Sequence, residues 1–151
     1  MGGPVEERTV ISGQVDEAGF PSGLAEGLRR ILVTLRRNTT AQHVVLIDAE
    51  GSPIAEAGGG KEGLLRKVLP TLAREVAIAR DLGTRWGEES LLSLHHCEGK
   101  DRQVYTAAAA DLPYALVLLA WREGPSPSGV TWLFLRRALQ ELRTLLRSAG
   151  V

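Results

Sequence analysis

Two short motifs contain residue types that could do chemistry, and the first is Ala57-Gly58-Gly59-Gly60-Lys61. A phosphate-binding loop requires Gly, four residues, and then Gly-Lys followed by Ser or Thr. Ala55 stands at the first Gly position and Glu62 at the Ser/Thr position, so the pattern lacks the hydroxyl group that would ligate Mg²⁺. We therefore interpret the segment as a hairpin-to-helix connector, and we expect no bound nucleotide or other cofactor.

The second motif is His95-His96-Cys97. On a strand, His95 and Cys97 share one face and His96 points to the other. Two ligands make an incomplete metal site, and the only other histidine is His43. We expect polar residues at a strand edge and no metal, with a metal shared between two copies of the chain as the open alternative. No strained Gly-x-Ser-x-Gly elbow or paired-acid pattern is present, so we predict no catalytic residue and no enzymatic activity.

Length and composition favour one soluble domain. The chain has 151 residues, which is enough for one well-buried core and too few for two. A formal net charge of zero argues against a protein that binds nucleic acid overall. The single cysteine argues against a disulfide framework, and no apolar run is long enough to span a membrane. We expect a cytoplasmic protein with no nucleic-acid partner and no membrane insertion.

Hydrophobic periodicity divides the chain into a loose or weakly packed tail over residues 1–21 and one domain over residues 22–151. Ser22 is the expected N-cap of a first helix that ends near Asn38. A hairpin, a long helix, three strands, a linker over 124–129 and a closing helix follow. The order is helix, two strands, helix, three strands, helix. Because the strands are apolar on both faces, we predict a three-layer α/β/α sandwich around a five-stranded antiparallel sheet, with strands over 44–47, 52–57, 90–97, 103–108 and 114–121.

The long helix, predicted over residues 61–83, has more apolar surface than one core needs. Its apolar side chains sweep an arc of about 200°, whereas a helix on one core needs about 100°. The excess indicates a second partner. Pro70 should kink the helix or split it at Leu69. Glu75 lies within the arc, and we expect it to pair with Arg80 or an arginine of another copy, or to reach water at the kink.

The chain contains three landmark segments, VVLIDAEGSPIAEAG, RDLG and YALVLLAWREG. The first of them contains a hairpin pattern formed by Asp48, Gly51, Ile54 and Ala55. Over about residues 23–148 this arrangement resembles the roadblock / dynein light-chain family, and longin and profilin domains share its general layout. The resemblance implies a dimer, with itself or a related roadblock subunit, in which the second helix and third strand pair across a two-fold axis. It also implies a non-enzymatic platform that binds a small Ras-like GTPase and modulates its nucleotide state.

The resemblance suggests two surfaces on the long helix. The outward side of the helix is our candidate for the GTPase-contacting surface, with Lys67, Arg74 and Asp81. The dimer interface that we predict on the helix and the third strand consists of Leu65, Val68, Leu69, Leu72, Val76, Ala79, Leu92, Leu94 and His96.

The first and last helices are rich in arginine. If both cover the same sheet face, as the resemblance implies, that side is a basic face. It is either a solvated surface or the binding site of an acidic partner or of the acidic tail around Asp16-Glu17. Its predicted members are Arg29, Arg30, Arg36, Arg37, Arg136, Arg137 and Arg143.

A different class of function stays open from the sequence. A small sensory domain of the GAF or profilin-like kind would have the same general layout. It would bind a ligand in a pocket between the sheet and the helices, and it would not need a second copy.

Overall fold

The structure is a computed structural model that describes residues 23–59, 63, 65–122 and 128–150. The predicted tail over residues 1–21, the Ser22 cap, the start of the predicted long helix and most of the predicted linker lie outside the described residues.

The described chain contains four α-helices, five strands and one 3₁₀ turn. The predicted order of helices and strands is confirmed, with the second helix divided into short pieces. No helix among the described residues has the length and apolarity needed to cross a membrane. The elements are α1 (Leu24–Thr39), β1 (His43–Ile47), β2 (Pro53–Gly58), the 3₁₀ turn (Leu65–Lys67), α2 (Leu69–Leu72), α3 (Arg74–Trp86), β3 (Leu92–Glu98), β4 (Arg102–Ala109), β5 (Ala115–Trp121) and α4 (Ser128–Ser148).

The five strands form one sheet in the order β2-β1-β5-β4-β3. Every neighbouring pair is antiparallel, as predicted. The last strand, β5, lies in the centre of the sheet because it pairs with β1 on one side and with β4 on the other. β2 and β3 are therefore the two edges.

Both faces of the sheet are covered, so the predicted three-layer sandwich is confirmed. Successive residues of β1 alternate between the layers: Val44 and Leu46 pack with α1 and α4, and Val45 and Ile47 pack with the 3₁₀ turn, α2 and α3. The sensory-domain alternative requires a ligand pocket between the sheet and the helices. In the described chain, packed apolar side chains of two core clusters occupy both of these layers.

The long helix predicted over residues 61–83 is not continuous. Its described part consists of the 3₁₀ turn, α2 and α3, with breaks at Val68 and Ala73. Pro70 lies in the first turn of α2, where its missing N–H costs nothing because that position has no intrahelical acceptor. α3 continues beyond the predicted end to Trp86 and stops at Gly87, which has a left-handed φ of 71°.

The turn between β1 and β2 packs directly on α2. Asp48 Oδ1 accepts hydrogen bonds from the backbone N–H groups of Glu50 and Ser52, both at 2.9 Å. Gly51 has a φ of +89°, and a Cβ atom there would lie 2.6 Å from the Cα atom of Pro70. Glycine is therefore required at this position both for the backbone conformation and for the close approach of α2.

We predict that Gly51→Ala destabilises the fold by about 2–4 kcal/mol, since alanine adds backbone strain and a clash with the α2 backbone. The free energy of unfolding, measured in urea, tests this. Gly129→Ala is the matched control, because Gly129 lies in α4 with no neighbouring atom within 4 Å of an added Cβ. The control should change stability by less than about 1 kcal/mol. Equal losses in the two variants would contradict the packing role of Gly51.

Candidate interaction surface

The outer edge of β3 is the most exposed part of the sheet. β3 pairs with β4 on one side, and in the described chain the sheet ends there. Residues 94–98 are all exposed, whereas most residues of the other four strands are buried. An exposed edge presents unpaired backbone N–H and C=O groups, which can pair with a further strand.

An apolar stripe on α3 lies beside this edge. α3 contacts β3 and β4, and Gly83 lets it approach closely, since a Cβ atom there would lie 2.5 Å from the Cβ atom of Ala110. Ile78 is 44% exposed, Trp86 is 69% exposed and Leu82 is half-buried. At helical spacing these three residues follow the side of α3 that begins with Glu75, whose carboxylate contacts β3. We call Ile78, Leu82 and Trp86 the α3 stripe.

Glu75 is buried between α3 and β3, with only 6% of its surface exposed. Its carboxylate accepts a hydrogen bond from Ser93 Oγ, and His95 Nδ1 lies 3.9 Å from Glu75 Oε1. Among the described residues the polar partners of Glu75 come from β3, so the expected pair with Arg80 is wrong. Its burial also contradicts the expected exposure to water at the kink. A pair with an arginine of another copy stays a prediction. Both Ser93 and His95 contact the carboxylate, whereas a nucleophile relay needs the histidine between the hydroxyl and the acid. The arrangement anchors α3 to the edge strand.

His95 and His96 point to opposite faces of β3, as the strand period predicts. The ring of His96 stacks on Tyr105 with centroids 4.2 Å apart, and its Nε2 lies 2.8 Å from Gln103 Oε1. His95 and Cys97 lie on the other face, the one that α3 covers. Among the residues that the structure describes, no three His, Cys, Asp or Glu side chains form a group that could hold a metal ion.

A buried ionic cluster, which the sequence did not indicate, secures the chain after β2. Glu56 is 5% exposed, its Oε1 lies 2.8 Å from His43 Nε2, and its other oxygen pairs with Arg66 of the 3₁₀ turn. A buried carboxylate is costly unless it is paired. These contacts join the 3₁₀ turn that follows the connector to β1 and β2.

Solved structures with similar architecture identify the fold. The chain matches Myxococcus xanthus MglB with a TM-score of 0.69 and 20% identity, over 86% of this chain and 94% of that chain. It matches the gliding protein mglB from Thermus thermophilus with a TM-score of 0.67 and 23% identity, over 85% of this chain and 95% of that chain. A Roadblock/LC7 domain from Streptomyces avermitilis matches with a TM-score of 0.60 and 16% identity, over 78% of this chain and 96% of that chain. The chain has the roadblock fold. No family model matches the sequence, and no curated protein does.

Within this roadblock fold, the nine predicted interface residues do not form one surface. Val68 and Leu94 are exposed, whereas Leu72 and Leu92 are half-buried. His96 is exposed, but it lies with Leu92 and Leu94 on the α4 face of the sheet, away from α3. The remaining four pack on the chain's own sheet with at most 2% of their surface exposed, so they offer a partner no surface: Leu65, Leu69, Val76 and Ala79.

The residues that sequence reasoning missed are those of the α3 stripe. Ile78 and Leu82 lie at the border of the apolar arc of the predicted helix, and this was the available signal. Trp86 follows the predicted end of that helix, so the predicted arc does not include it. The side chains that are exposed beside the open edge therefore come from the border of the predicted arc and from beyond the predicted end of the helix. The side chains at the centre of the arc pack on the chain's own sheet.

The predicted GTPase-contacting residues are all exposed. Lys67 lies on the 3₁₀ turn, and Arg74 and Asp81 lie on the outward side of α3. Asp81 pairs with Arg85 of the next turn at 3.0 Å, which leaves Lys67 and Arg74 as the basic members of this surface. The surface and the α3 stripe occupy neighbouring sides of the same helix.

The basic face is partly neutralised. α1 and α4 pack against each other over the same side of the sheet. Arg29 lies 3.5 Å from Glu26, and Arg36 Nε donates to the carbonyl oxygen of Ala41 at 3.2 Å. Arg143 donates two hydrogen bonds to Asp111, of 2.6 and 2.9 Å. The other four members are exposed and have no acidic partner among the described residues: Arg30, Arg37, Arg136 and Arg137.

The ion pair between Arg143 and Asp111 makes stability depend on pH. The hydrogen bonds from Arg143 hold the pKa of Asp111 below its ordinary value of 3.8. A carboxyl with a lowered pKa stabilises the folded state above its unfolded-state pKa, and this stabilisation is lost as the pH falls through the folded-state pKa. The pair therefore contributes at neutral pH and contributes nothing in strong acid.

We predict that Arg143→Gln lowers the free energy of unfolding at neutral pH by about 1 kcal/mol, because it removes a charge-assisted pair. The difference from the wild type should close as the pH falls below the ordinary value of 3.8. Urea unfolding over a pH series measures both effects. Arg136→Gln is the control on the same helix and should follow the wild-type curve. A constant difference down to strong acid would contradict the proposed cause.

Proposed function

We propose that this protein is a non-enzymatic dimeric scaffold of the cytoplasm that binds a small Ras-like GTPase and modulates its nucleotide state. The observation that carries the proposal is the exposed outer edge of β3 beside the exposed α3 stripe. The roadblock fold, shared with MglB from two bacteria, supports it.

Two copies of the chain can cover this surface in one arrangement. Antiparallel pairing of β3 with the β3 of a second copy satisfies the unpaired backbone groups and joins two five-stranded sheets into one of ten strands. A two-fold axis also brings the two α3 stripes together, since a two-fold interface uses the same patch on both copies. Full burial of an exposed Ile or Leu side chain contributes about 1.5–3 kcal/mol, and each stripe residue contributes in proportion to the fraction of its surface that is still exposed, 44% for Ile78 and 69% for Trp86.

The nucleotide in this proposal belongs to the partner. The phosphate-loop pattern of the chain lacks its first Gly and its hydroxyl residue, because Ala55 and Glu62 stand at those positions. A scaffold can still change the nucleotide state of a GTPase if it binds one conformation of the GTPase more tightly than the other. In the proposed dimer, the outward residues Lys67 and Arg74 of both copies are available for such a partner.

We predict that Lys67→Glu/Arg74→Glu lowers the affinity for the GTPase about tenfold or more, because two attractive charges become repulsive. The measurement is titration calorimetry with a Ras-like GTPase of the same organism, loaded with GDP or with a GTP analogue. The wild type should bind the two forms with different affinities. The double variant should keep the mass of the wild type.

Arg37→Glu/Arg136→Glu is the matched control, since it also reverses two positive charges, but at exposed positions on α1 and α4. It should bind the GTPase as the wild type does. Equal affinity of the wild type for the two nucleotide forms would remove the regulatory part of the proposal. An equal loss of GTPase affinity in both double variants would contradict the assignment of Lys67 and Arg74 to the contact surface.

A further inference from the structure

A groove of about 520 Å³ runs between α1 and α4 on the side of the molecule away from α3. Gly27 sets its depth at one end, because a Cβ atom there would lie 2.8 Å from a methyl carbon of Leu145. Ile31 and Leu145 provide apolar lining, and Thr34 and Thr144 provide hydroxyl groups. The groove is therefore suited to an extended segment that carries both apolar and polar side chains.

Two arginines that have no acidic partner among the described residues line the groove. Arg30 of α1 and Arg137 of α4 are exposed, and neither has an acidic partner in the part of the chain that the structure describes. The Arg137 guanidinium lies 5.3 Å from the centroid of the Phe134 ring. One acid, Glu141, lines the same groove. The lining thus has an excess of positive charge that favours an acidic ligand.

The segment that precedes α1 has matching chemistry. Residues 1–22 contain four acidic side chains and one basic side chain, Arg8. Asp16-Glu17 form an acidic pair, and Val10-Ile11 and Phe20 supply apolar side chains. The charge of the segment is therefore opposite to that of the groove, and its apolar residues suit the apolar lining.

The segment also starts at the right place. α1 begins immediately after Gly23, which is one turn from Gly27 at the end of the groove. The stretch of groove from Gly27 to Thr34 spans seven helical residues, or about 10 Å. Asp16-Glu17 precede Gly23 by six or seven residues, which span up to about 20–25 Å when extended. The acidic pair can therefore reach Arg30 and Arg137 of its own chain.

We infer that residues 1–22 of this chain bind in the groove between α1 and α4, with Asp16-Glu17 at Arg30 and Arg137. The segment is an intramolecular ligand, and its tether gives it a high effective concentration at the groove. An acidic segment of another protein that binds the same groove must displace it.

Double electron–electron resonance on the full chain tests this inference. Spin labels are placed at Ala18→Cys and Leu133→Cys in a Cys97→Ser background, which leaves no other thiol. Leu133 is 51% exposed and lies one turn from Arg137, outside the groove lining. The labelled protein with the unaltered groove should give a narrow distribution of distances between the two spin labels at low salt. The narrow component should weaken in 1 M salt, where the Debye length is about 3 Å.

Charge reversal gives the decisive comparison. Arg30→Glu/Arg137→Glu should lower the ratio of bound to unbound segment about tenfold, whereas the matched Arg37→Glu/Arg136→Glu should leave it unchanged. Adding Asp16→Arg/Glu17→Arg to the groove variant should restore the narrow component. A broad distribution with the unaltered groove overturns the inference, and so does an equal loss in the two double variants. Loss of the narrow component on dilution with unlabelled protein also overturns it, since the contact would then lie between two copies.

Discussion

The outer edge of β3 is the constraint on which the rest of the account depends. A five-stranded open sheet has two edges, and this chain covers them differently. β2 is largely buried and packs against α1, whereas residues 94–98 of β3 are exposed. Natural sheets avoid long unprotected edges because these pair with other strands. The exposed edge, with the α3 stripe beside it, is the observation on which the proposed dimer rests.

The anchoring of α3 belongs to the same constraint. Glu75 is buried against β3 and bonded to Ser93, so the position of the helix depends on the strand. On the other face of β3, His96 stacks on Tyr105 and Trp132 approaches its edge. β3 is thus held firmly by side chains on both faces and by β4, while its outer backbone remains available.

Most of the fold could be predicted from local patterns. The run from His43 to Ile47 is buried throughout, and a strand that is buried on both faces needs a helical layer on each side. The pattern around Asp48 and Gly51 marks the hairpin because the backbone there needs glycine. Helix boundaries were less predictable. Pro70 indicated a break, but periodicity does not show whether a proline bends a helix or lies in the first turn of a new one.

The surface could be predicted only in part, for two physical reasons. An apolar arc on a helix has the same sequence pattern whether it packs on its own sheet or on a partner, so Val76 and Ala79 could not be separated from Ile78. The partners of Glu75 come from a strand 18 residues away, and no local pattern encodes that contact. The same holds for Glu56, whose pairing with His43 and Arg66 depends on how the sheet and the 3₁₀ turn meet.

The solution mass measured by light scattering tests the central claim most directly, on the wild type, Ile78→Glu and Ala77→Glu. Ile78 is chosen because it is 44% exposed and belongs to the α3 stripe, and Ala77 is an exposed neighbour outside the stripe. We predict twice the 16.3 kDa of one chain for the wild type and for Ala77→Glu, and the mass of a single folded chain for Ile78→Glu. A wild-type mass of one chain, or a dimer that Ile78→Glu leaves intact, would contradict the account.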